Sequence, residues 1–402
     1  MKLLFINSFY RPHVGGGAEL ILETIVEGLA ARGHQVIVLA TQKSPGLSIE
    51  TVGSAKVYRA EIQNFYWPYK RDLPPKPVRA LWHLRDRNNS MMGKVVEAVI
   101  KAESPDTVNF HNLAGFSVAA WDAAHRLGIP SIQTLHDLYL MCPPTTAFKN
   151  GKACVTRCAE CVFLRHGHVA ASRQLAAVVG VSHYILDRLV KEGYFETVRR
   201  RVIHNARNIP DTAPPSPRAR DHGLTFGYIG SLTPAKGLEW LIAQFKRRGW
   251  GSKLLIAGDG SRRYTNRLKT LAQGHDIEFL GYVNSELFYP RIDIAVVPSI
   301  WPDSLPGVAY ESGAYHVPVI ASRTGGLPEI VQDGINGLFC DPSNETTLGD
   351  AIDKLQYDRE LLAKMSKSAR ASMEKFFDPS RMIDAYENLM HEIVSTGPAQ
   401  IS

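Results

Sequence analysis

Residues 2–40 read KLLFINSFYRPHVGGGAELILETIVEGLAARGHQVIVLA. The apolar run at 2–8 predicts a short buried strand. Gly15, Gly16 and Gly17 then make a loop. Leu22, Ile25, Val26 and Leu29 recur at helical spacing across residues 18–32, and Gly33 stops that helix. Residues 35–40 are a second apolar strand. Strand, glycine loop, helix and strand in this order open a doubly wound parallel sheet, an α/β architecture.

The same alternation continues outward. Further strands are expected at 107–110, 131–135 and 177–181. Residues 206–222, ARNIPDTAPPSPRARDH, carry Pro and Arg without periodicity and read as a linker. A second sheet then starts at 224–229 and continues through a helix at 238–245 and strands at 253–257, 277–279, 294–297 and 317–321. After Pro342 the pattern is mostly helical. The expected organisation is a first Rossmann-like domain at 1–205, a linker at 206–222, a second Rossmann-like domain at 223–380, and a C-terminal helix at 381–402 packing back on the first domain. Ligands of such sheets bind beyond the strand C-termini, so a cleft between the two halves is where function is expected. Residues 58–89, rich in Tyr, Trp, Pro and Arg, read as an insertion or a surface-binding element.

With 402 residues the chain exceeds one ordinary core, and 45% hydrophobic content suffices for two. No run reaches the ~18 apolar residues of a membrane span. The start, MKLLFINSFYRPH, lacks the pattern of a secretory signal, so a cytoplasmic protein is expected. The formal net charge of +7 comes from the first 220 residues, and the remainder is mildly acidic. With Tyr66, Trp67, Tyr69 and Trp82 among Lys and Arg, this predicts peripheral contact with an anionic membrane, on the inner face of the plasma membrane. A merely solvated basic surface is the alternative. No nucleic-acid motif accompanies the charge, and no nucleic-acid partner is expected. Cys142, Cys154, Cys158 and Cys161 cluster, which in a cytosolic chain raises metal binding rather than disulfides.

The loops after the strands carry the chemistry. The glycines at 15–17 let backbone N–H groups and a helix N-terminus approach a phosphate. They do not match GxGxxG, and a tight turn is the alternative. His136–Asp137 closes the strand at 131–135, where His136 can donate to a sugar hydroxyl and Asp137 can fix its tautomer or cap the next turn. His111–Asn112 forms a second polar pair at the same rim. In the second half, GSLTPAKG puts Gly230 in a turn and Lys236 at a loop–helix junction, able to neutralise a diphosphate. Gly258 and Gly260 leave room for a base or ribose. Residues 298–329, PSIWPDSLPGVAYESGAYHVPVIASRTGGLPE, predict a strand end, a loop with Asp303, a helix opening near Gly307 with its amides toward an anion, and Glu311 one turn in. Gly325–Gly326 make another close-approach loop. A helix cap for Asp303 and a solvated face for Glu311 are the plainer alternatives.

The ordered pieces PHVGGGAEL, RGHQVIVL, TVNFHNLAGFS, TLHDLYLMCP, VVGVS, VIHNA, FGYIGSLTPAKG, LLIAGDG, IEFLGYV and PSIW…E…PVIASRTGGLPEIVQDGINGLF resemble the retaining glycosyltransferases of family four, over nearly the whole chain. The resemblance implies the GT-B fold, two Rossmann-like domains facing a cleft. It implies a nucleotide-diphosphate-sugar donor, a glycan or lipid-linked acceptor, a role in surface polysaccharide biosynthesis, and no required cofactor or catalytic metal. It places Gly16 and Gly17 by the phosphates and acceptor, with His111 and Asn112 on the acceptor side. His136 falls on the donor sugar and Lys236 on the diphosphate. Asp303 and Glu311 fall on the sugar hydroxyls and nucleotide ribose. Gly230, Gly258, Leu305, Pro306 and Gly307 line the donor, and base recognition falls near Val283. His136, Asp303 and Glu311 are the catalytic set. Two departures stand out: Asp303 where the family usually has Glu, and Ser231 where it often has Arg. The cysteines resemble a subgroup with Cys-Pro after the His-Asp strand, for which a structural zinc on Cys142, Cys154, Cys158 and Cys161 is the implied site and reduced thiols the alternative. A nucleotide-sugar epimerase of the same fold and a catalytically silent nucleotide-sugar binder are the competing functions.

Overall fold

A computed structural model describes residues 1–69, 74–149, 151–212, 223–248 and 251–396. Of the expected linker, residues 213–222 lie outside the described residues. The chain divides into two compact units. The first comprises Met1–Ala147, Cys154–Arg207 and Pro379–Ser402, and the second Phe148–Ala153 and Asn208–Asp378.

The first unit is built on strands β1 (Lys2–Ile6), β2 (Gln35–Gln42), β3 (Leu47–Val52), β4 (Ala55–Glu61), β5 (Thr107–Phe110) and β6 (Ser131–Leu135). A small hairpin, β7 (Phe148–Lys149) with β8 (Lys152–Ala153), falls in the second unit. Strands β9 (Ala177–Gly180) and β10 (Arg199–Val202) complete the first sheet, ordered β10-β9-β6-β5-β1-β2-β4-β3. All neighbours are parallel except β3, which runs antiparallel to β4 at the edge. The strand order reverses at β1, whose neighbours are β2 and β5. The β3–β4 pair and β10 were not expected. Leu47–Val52 is almost wholly exposed and Arg199–Val202 reads RRRV, so neither shows an apolar run.

Leu3, Phe5, Leu22, Ile25, Val26 and Leu29 pack in one core with Met382, Ile383, Tyr386, Leu389, Met390 and Ile393 of helix Pro379–Thr396. The C-terminal helix is thus part of the first unit's core. Polar ties at its rim reinforce the seam: Glu387 pairs with Arg32 at 2.5 Å and with His34 at 2.7 Å. Among the described residues, His34, Glu387 and His391 are the one group of three whose ligand atoms all lie within 4.8 Å of one another. With Arg32 already on that carboxylate, the group serves the seam.

The second unit holds β11 (Thr225–Ile229), β12 (Lys253–Ala257), β13 (Ile277–Gly281), β14 (Ile294–Val297), β15 (Val319–Ser322) and β16 (Gly337–Cys340), all parallel and ordered β13-β12-β11-β14-β15-β16. This is the doubly wound order, with its switch point between β11 and β14. Residues 58–89 differ from expectation. They finish β4 and contain helix Lys76–Arg85. Trp82 is buried and donates to Tyr66 O, while Tyr66, Trp67 and Tyr69 are half-buried and Phe65 is exposed; Trp67 donates to Thr41 Oγ1 at 2.9 Å. Trp67 and Tyr69 pack edge-on against Phe9 and His13. The indoles of Trp67 and Trp82 and the hydroxyl of Tyr69, which donates to Val14 O at 3.3 Å, satisfy their polar atoms on the unit itself. Among the described residues no helix is long and apolar enough to cross a membrane.

Because Tyr386 is fully buried in the shared core, Tyr386→Ala is expected to cost about 3–5 kcal/mol. Denaturant unfolding checks this; an unchanged midpoint would show that the C-terminal helix contributes nothing to that core.

Candidate functional site

In the first unit the loops after β1, β5 and β6 converge around the strand-order reversal. Gly16 precedes helix Gly17–Ala31, and its N–H donates to Glu19 Oε2 at 2.8 Å. The buried Glu19 carboxyl, whose pKa burial raises, thus satisfies one of the helix's first amides. A Cβ at Gly16 or Gly17 would meet nothing within 4 Å, so the loop faces open space there.

His111 and Asn112, expected on the acceptor side, have their side chains engaged inside the unit. Asn112 Oδ1 accepts from Ser8 Oγ at 3.2 Å and Ala114 N at 3.0 Å. His111 is buried and its Nδ1 lies 2.8 Å from His136 Nε2. Burial drives both imidazoles toward neutrality, His136 down to about 4 and His111 well below its ordinary value. Asp137 does not touch His136. Its Oδ1 accepts from Tyr139 N at 2.8 Å, an Asx turn, and burial raises its carboxyl to about 6. His111, Gln133, His136, Asp137 and Tyr139 line a small recess.

A buried network beneath this loop was not expected from sequence. Tyr139 Oη donates to Asp86 Oδ2 at 2.6 Å, Gly115 N donates to Asp86 Oδ1 at 2.7 Å, and Arg165 Nε donates to Tyr139 O at 2.8 Å. Asp86 and Arg165 are both sealed from solvent, and burial lifts the Asp86 carboxyl to about 7. The network fixes the loop that carries His136. Nothing local marks it: Asp86 and Arg165 each read as surface charges in sequence.

The cysteines lie beyond that loop. Cys158 Sγ is 3.5 Å from Cys161 Sγ, and Cys161 shares a thiol hydrogen bond with Cys142. These are pairwise thiol contacts. Among the described residues the cysteine sulfurs do not form a group all within 4.8 Å of one another, whereas a closed tetrahedral thiolate cage would hold every pair that close. The sulfurs as placed do not make that cage.

In the second unit the loops after β11 and β14 meet at the switch point. Ile300 N donates to Ala235 O at 2.9 Å, and Lys236 Nζ donates to Asp303 Oδ2, both groups partly buried. Lys236 Nζ also lies 5.3 Å from the Trp301 ring centroid. Helix Gly307–Ala314 begins after Pro306, with Leu305 buried just ahead of it. Glu311 is buried and accepts from Ser285 Oγ at 3.1 Å, which ties it to the segment following β13, where Val283 lies. Gly307 sits 3.4 Å (from its Cβ position) from Glu311 Oε1.

Three glycines lie against the backbone of neighbouring loops. Gly258 has φ +131° and a Cβ there would lie 1.8 Å from Gly230 O, so the loops after β11 and β12 press together. Gly325 has φ +60° and its Cβ position lies 2.2 Å from Asp303 O, while Gly326 N donates to Asp303 O at 2.8 Å. The glycine pair therefore clamps the Asp303 loop. The expectation that Gly258 and Gly260 leave room is corrected accordingly, since a Cβ at Gly260 would lie 2.3 Å from Leu232 O.

The folded chain takes a proton on His136 only near pH 4, the unfolded chain near about 6.5. The stability contributed by neutral His136 is therefore whole above about 6.5 and is lost as pH falls toward 4. Asp137, raised to about 6, runs oppositely: its contribution is lost as pH rises from about 4 toward 6. An NMR titration of the His136 imidazole is expected to show a midpoint near 4; a midpoint near 6.5 would mean a solvated ring.

Comparison with known proteins bears on this arrangement. The family Glycosyl transferases group 1 matches residues 211–372, and the Glycosyl transferase 4-like domain matches residues 16–206. An uncharacterised 42.6 kDa protein in the cps region of Klebsiella pneumoniae is 28% identical over 335 residues, 82% of this chain and 87% of the relative. Sucrose-phosphate synthase from Thermosynechococcus elongatus has a similar structure, with a TM-score of 0.76 at 19% identity over 98% of this chain and 100% of that one. The Anabaena HepE protein, crystallised with UDP and glucose, gives a TM-score of 0.72 at 18% identity, again over 98% of this chain and 100% of its own. Two parallel-sheet units, each with polar loops gathered at a strand-order reversal, thus coincide with two matches that between them span residues 16–372 nearly without a break, and the chain belongs to the group 1 glycosyltransferases of GT-B fold.

Proposed function

We propose that the protein transfers a sugar from a nucleotide-diphosphate sugar to a glycan or lipid-linked acceptor, with retention at the anomeric carbon and without a catalytic metal. The observation that carries this is the switch-point group of the second unit: Lys236 paired with Asp303, beside the N-terminus of helix Gly307–Ala314 and the buried Glu311. A diphosphate needs positive charge and N–H donors without competing anions. Lys236 supplies the first and the helix start the second. Asp303 holds Lys236 until a diphosphate takes its place, and is then free to accept from sugar hydroxyls. Glu311 accepts from the nucleotide ribose, and Val283 lies toward the base.

In the transfer, the bond from the sugar's anomeric carbon to the leaving phosphate breaks. The acceptor oxygen bonds to that carbon on the same face, and the departing phosphate oxygen takes the acceptor's proton. Lys236 and the helix amides stabilise the charge that grows on the phosphate. His136 donates to the donor sugar, and the open glycine loop at Gly16–Gly17 admits the phosphates and the acceptor. The UDP bound to HepE supports a nucleotide-sugar donor, and the cps-region location of the Klebsiella relative favours surface polysaccharide synthesis. The basic first 220 residues favour an acceptor held at an anionic membrane. An epimerase would isomerise the donor without any acceptor.

Lys236→Ala is expected to lower kcat/KM by about 10²–10³-fold, with activity unaffected by EDTA. Asp303→Asn is expected to split the two functions: it frees Lys236, so a nucleoside diphosphate binds at least as tightly by calorimetry, while transfer falls. Weaker diphosphate binding in Asp303→Asn, or normal donor binding in Lys236→Ala, would remove the assignment. Donor isomerisation without acceptor would move the protein to the epimerases.

A further inference from the structure

Two imidazoles meet where the sequence suggested one acting with a carboxylate. His111 follows β5 and His136 follows β6, so adjacent parallel strands deliver them to one point. Their nitrogens are 2.8 Å apart, their planes differ by 24°, and their centroids lie 5.0 Å apart. That centroid separation is the N···N distance plus a ring radius on each side. The rings therefore lie edge to edge in nearly one plane, joined by an in-line hydrogen bond, and are not stacked face to face.

We propose that His111 is a positioning residue that fixes His136 as its Nδ1–H tautomer, so that His136 meets a bound substrate oxygen as a hydrogen-bond donor and not as a base. This use of His136 rests on the donor-site reading above; the tautomer itself does not.

An N···N hydrogen bond between neutral imidazoles holds one proton, on either His111 Nδ1 or His136 Nε2. If His136 kept it, His111 would carry its own proton on Nε2. That nitrogen is buried with no hydrogen-bond partner among the described residues. A buried N–H without an acceptor is the rarer and costlier defect; a lone pair left unused is tolerated more often. The proton therefore sits on His111 Nδ1 and points at His136 Nε2. His136, being neutral, keeps its own proton on Nδ1. That ring is half-buried at the recess, and its Nδ1 has no partner among the described residues, so it is the nitrogen available to a ligand.

His111 is itself held in place. Its N–H donates to Ile6 O at 2.8 Å. Its carbonyl accepts from Gln133 Nε2 at 2.6 Å, and Gln133 Oε1 accepts from the buried Trp121 Nε1 at 3.0 Å. The indole can only donate, so it orients the Gln133 amide, which orients the His111 backbone. A run of one-way donors thus leads from Trp121 through Gln133 to His111, whose side chain donates to His136.

The test reads imidazole tautomers by ¹⁵N–¹H multiple-bond NMR on the full-length ¹⁵N-labelled protein at pH 7.5, without ligand. The parent is expected to show His136 as Nδ1–H and His111 with an unprotonated Nε2. His111→Leu removes the donor to Nε2, and His136 is expected to shift to the Nε2–H form that free histidine prefers, with kcat falling at least tenfold and donor KM changing less than threefold. His111→Asn places an amide N–H where Nδ1–H was and is expected to restore the Nδ1–H form. His136 found as Nε2–H in the parent overturns the proposal, and that spectrum decides it even where a variant fails to fold. An unchanged His136 tautomer in a folded His111→Leu overturns it too. The donor-site reading fails separately, if saturating nucleotide diphosphates and their sugars leave the His136 resonances unmoved.

Discussion

A parallel sheet buries both faces of its strands, so each connection must cross over one face through a helix and return to the same edge. All strands then end on the same side, and every loop that can vary collects there. Where the strand order reverses, consecutive crossovers leave in opposite directions and the backbone between them is uncovered. In the second unit this happens between β11 and β14, which is why Lys236 and Asp303, 67 positions apart, meet at a hydrogen bond. In the first unit it happens at β1, where Ser8 reaches Asn112 and the end of β6 adds His136 beside His111. The side chains differ, but one topological constraint gathers both sets.

The two gatherings differ in electrical character. The first unit's loop ends include two imidazoles that burial keeps neutral, His111 and His136, above a buried Asp86–Arg165 pair. The second unit's rim keeps an ammonium against a carboxylate. Neutral donors and acceptors select by direction and shape, while a fixed charge holds a phosphate with less regard to angle. A sugar that must be oriented and a diphosphate that must be gripped call for those two kinds of surface.

The fold was largely legible because parallel strands are short apolar runs with sharp ends. Residues 107–110, 131–135, 253–257 and 294–297 were read with the bounds the structure has. Edge strands escaped because one side faces water. Leu47–Val52 is nearly all exposed, and Arg199–Val202 is three arginines and a valine. The aromatic stretch around Trp67 and Trp82 looked like a surface element because periodicity is absent, yet its rings close over Phe9 and His13 and reach Thr41. For the site, residue types at strand ends pointed to His136, Lys236 and Asp303. Of the two roles open to Asp137, orienting His136 or capping the next turn, the structure has the second, with Tyr139 N on Asp137 Oδ1. The partner of His136 is His111, 25 positions earlier, a pairing set by strand adjacency. The clue was available: both histidines are the first residue beyond neighbouring parallel strands. Gly258 and Gly260 were read as space for a ligand, but contacts between loops, such as Gly258 against Gly230 O, cannot be told from ligand contacts without three dimensions.

Helix Pro379–Thr396 completes the first unit's core after the chain has built the whole of Asn208–Asp378. Apart from the hairpin segment Phe148–Ala153, the second unit is therefore an insertion within the first, in the manner of a clause set inside a sentence. A ribosome delivers Met1–Arg207 with the face of helix Gly17–Ala31 still uncovered, then Asn208–Asp378, and only then the helix that covers Leu22, Ile25 and Val26. The unit synthesised first is the last to be finished, and throughout that interval a strip of its core is open to water and to chaperones.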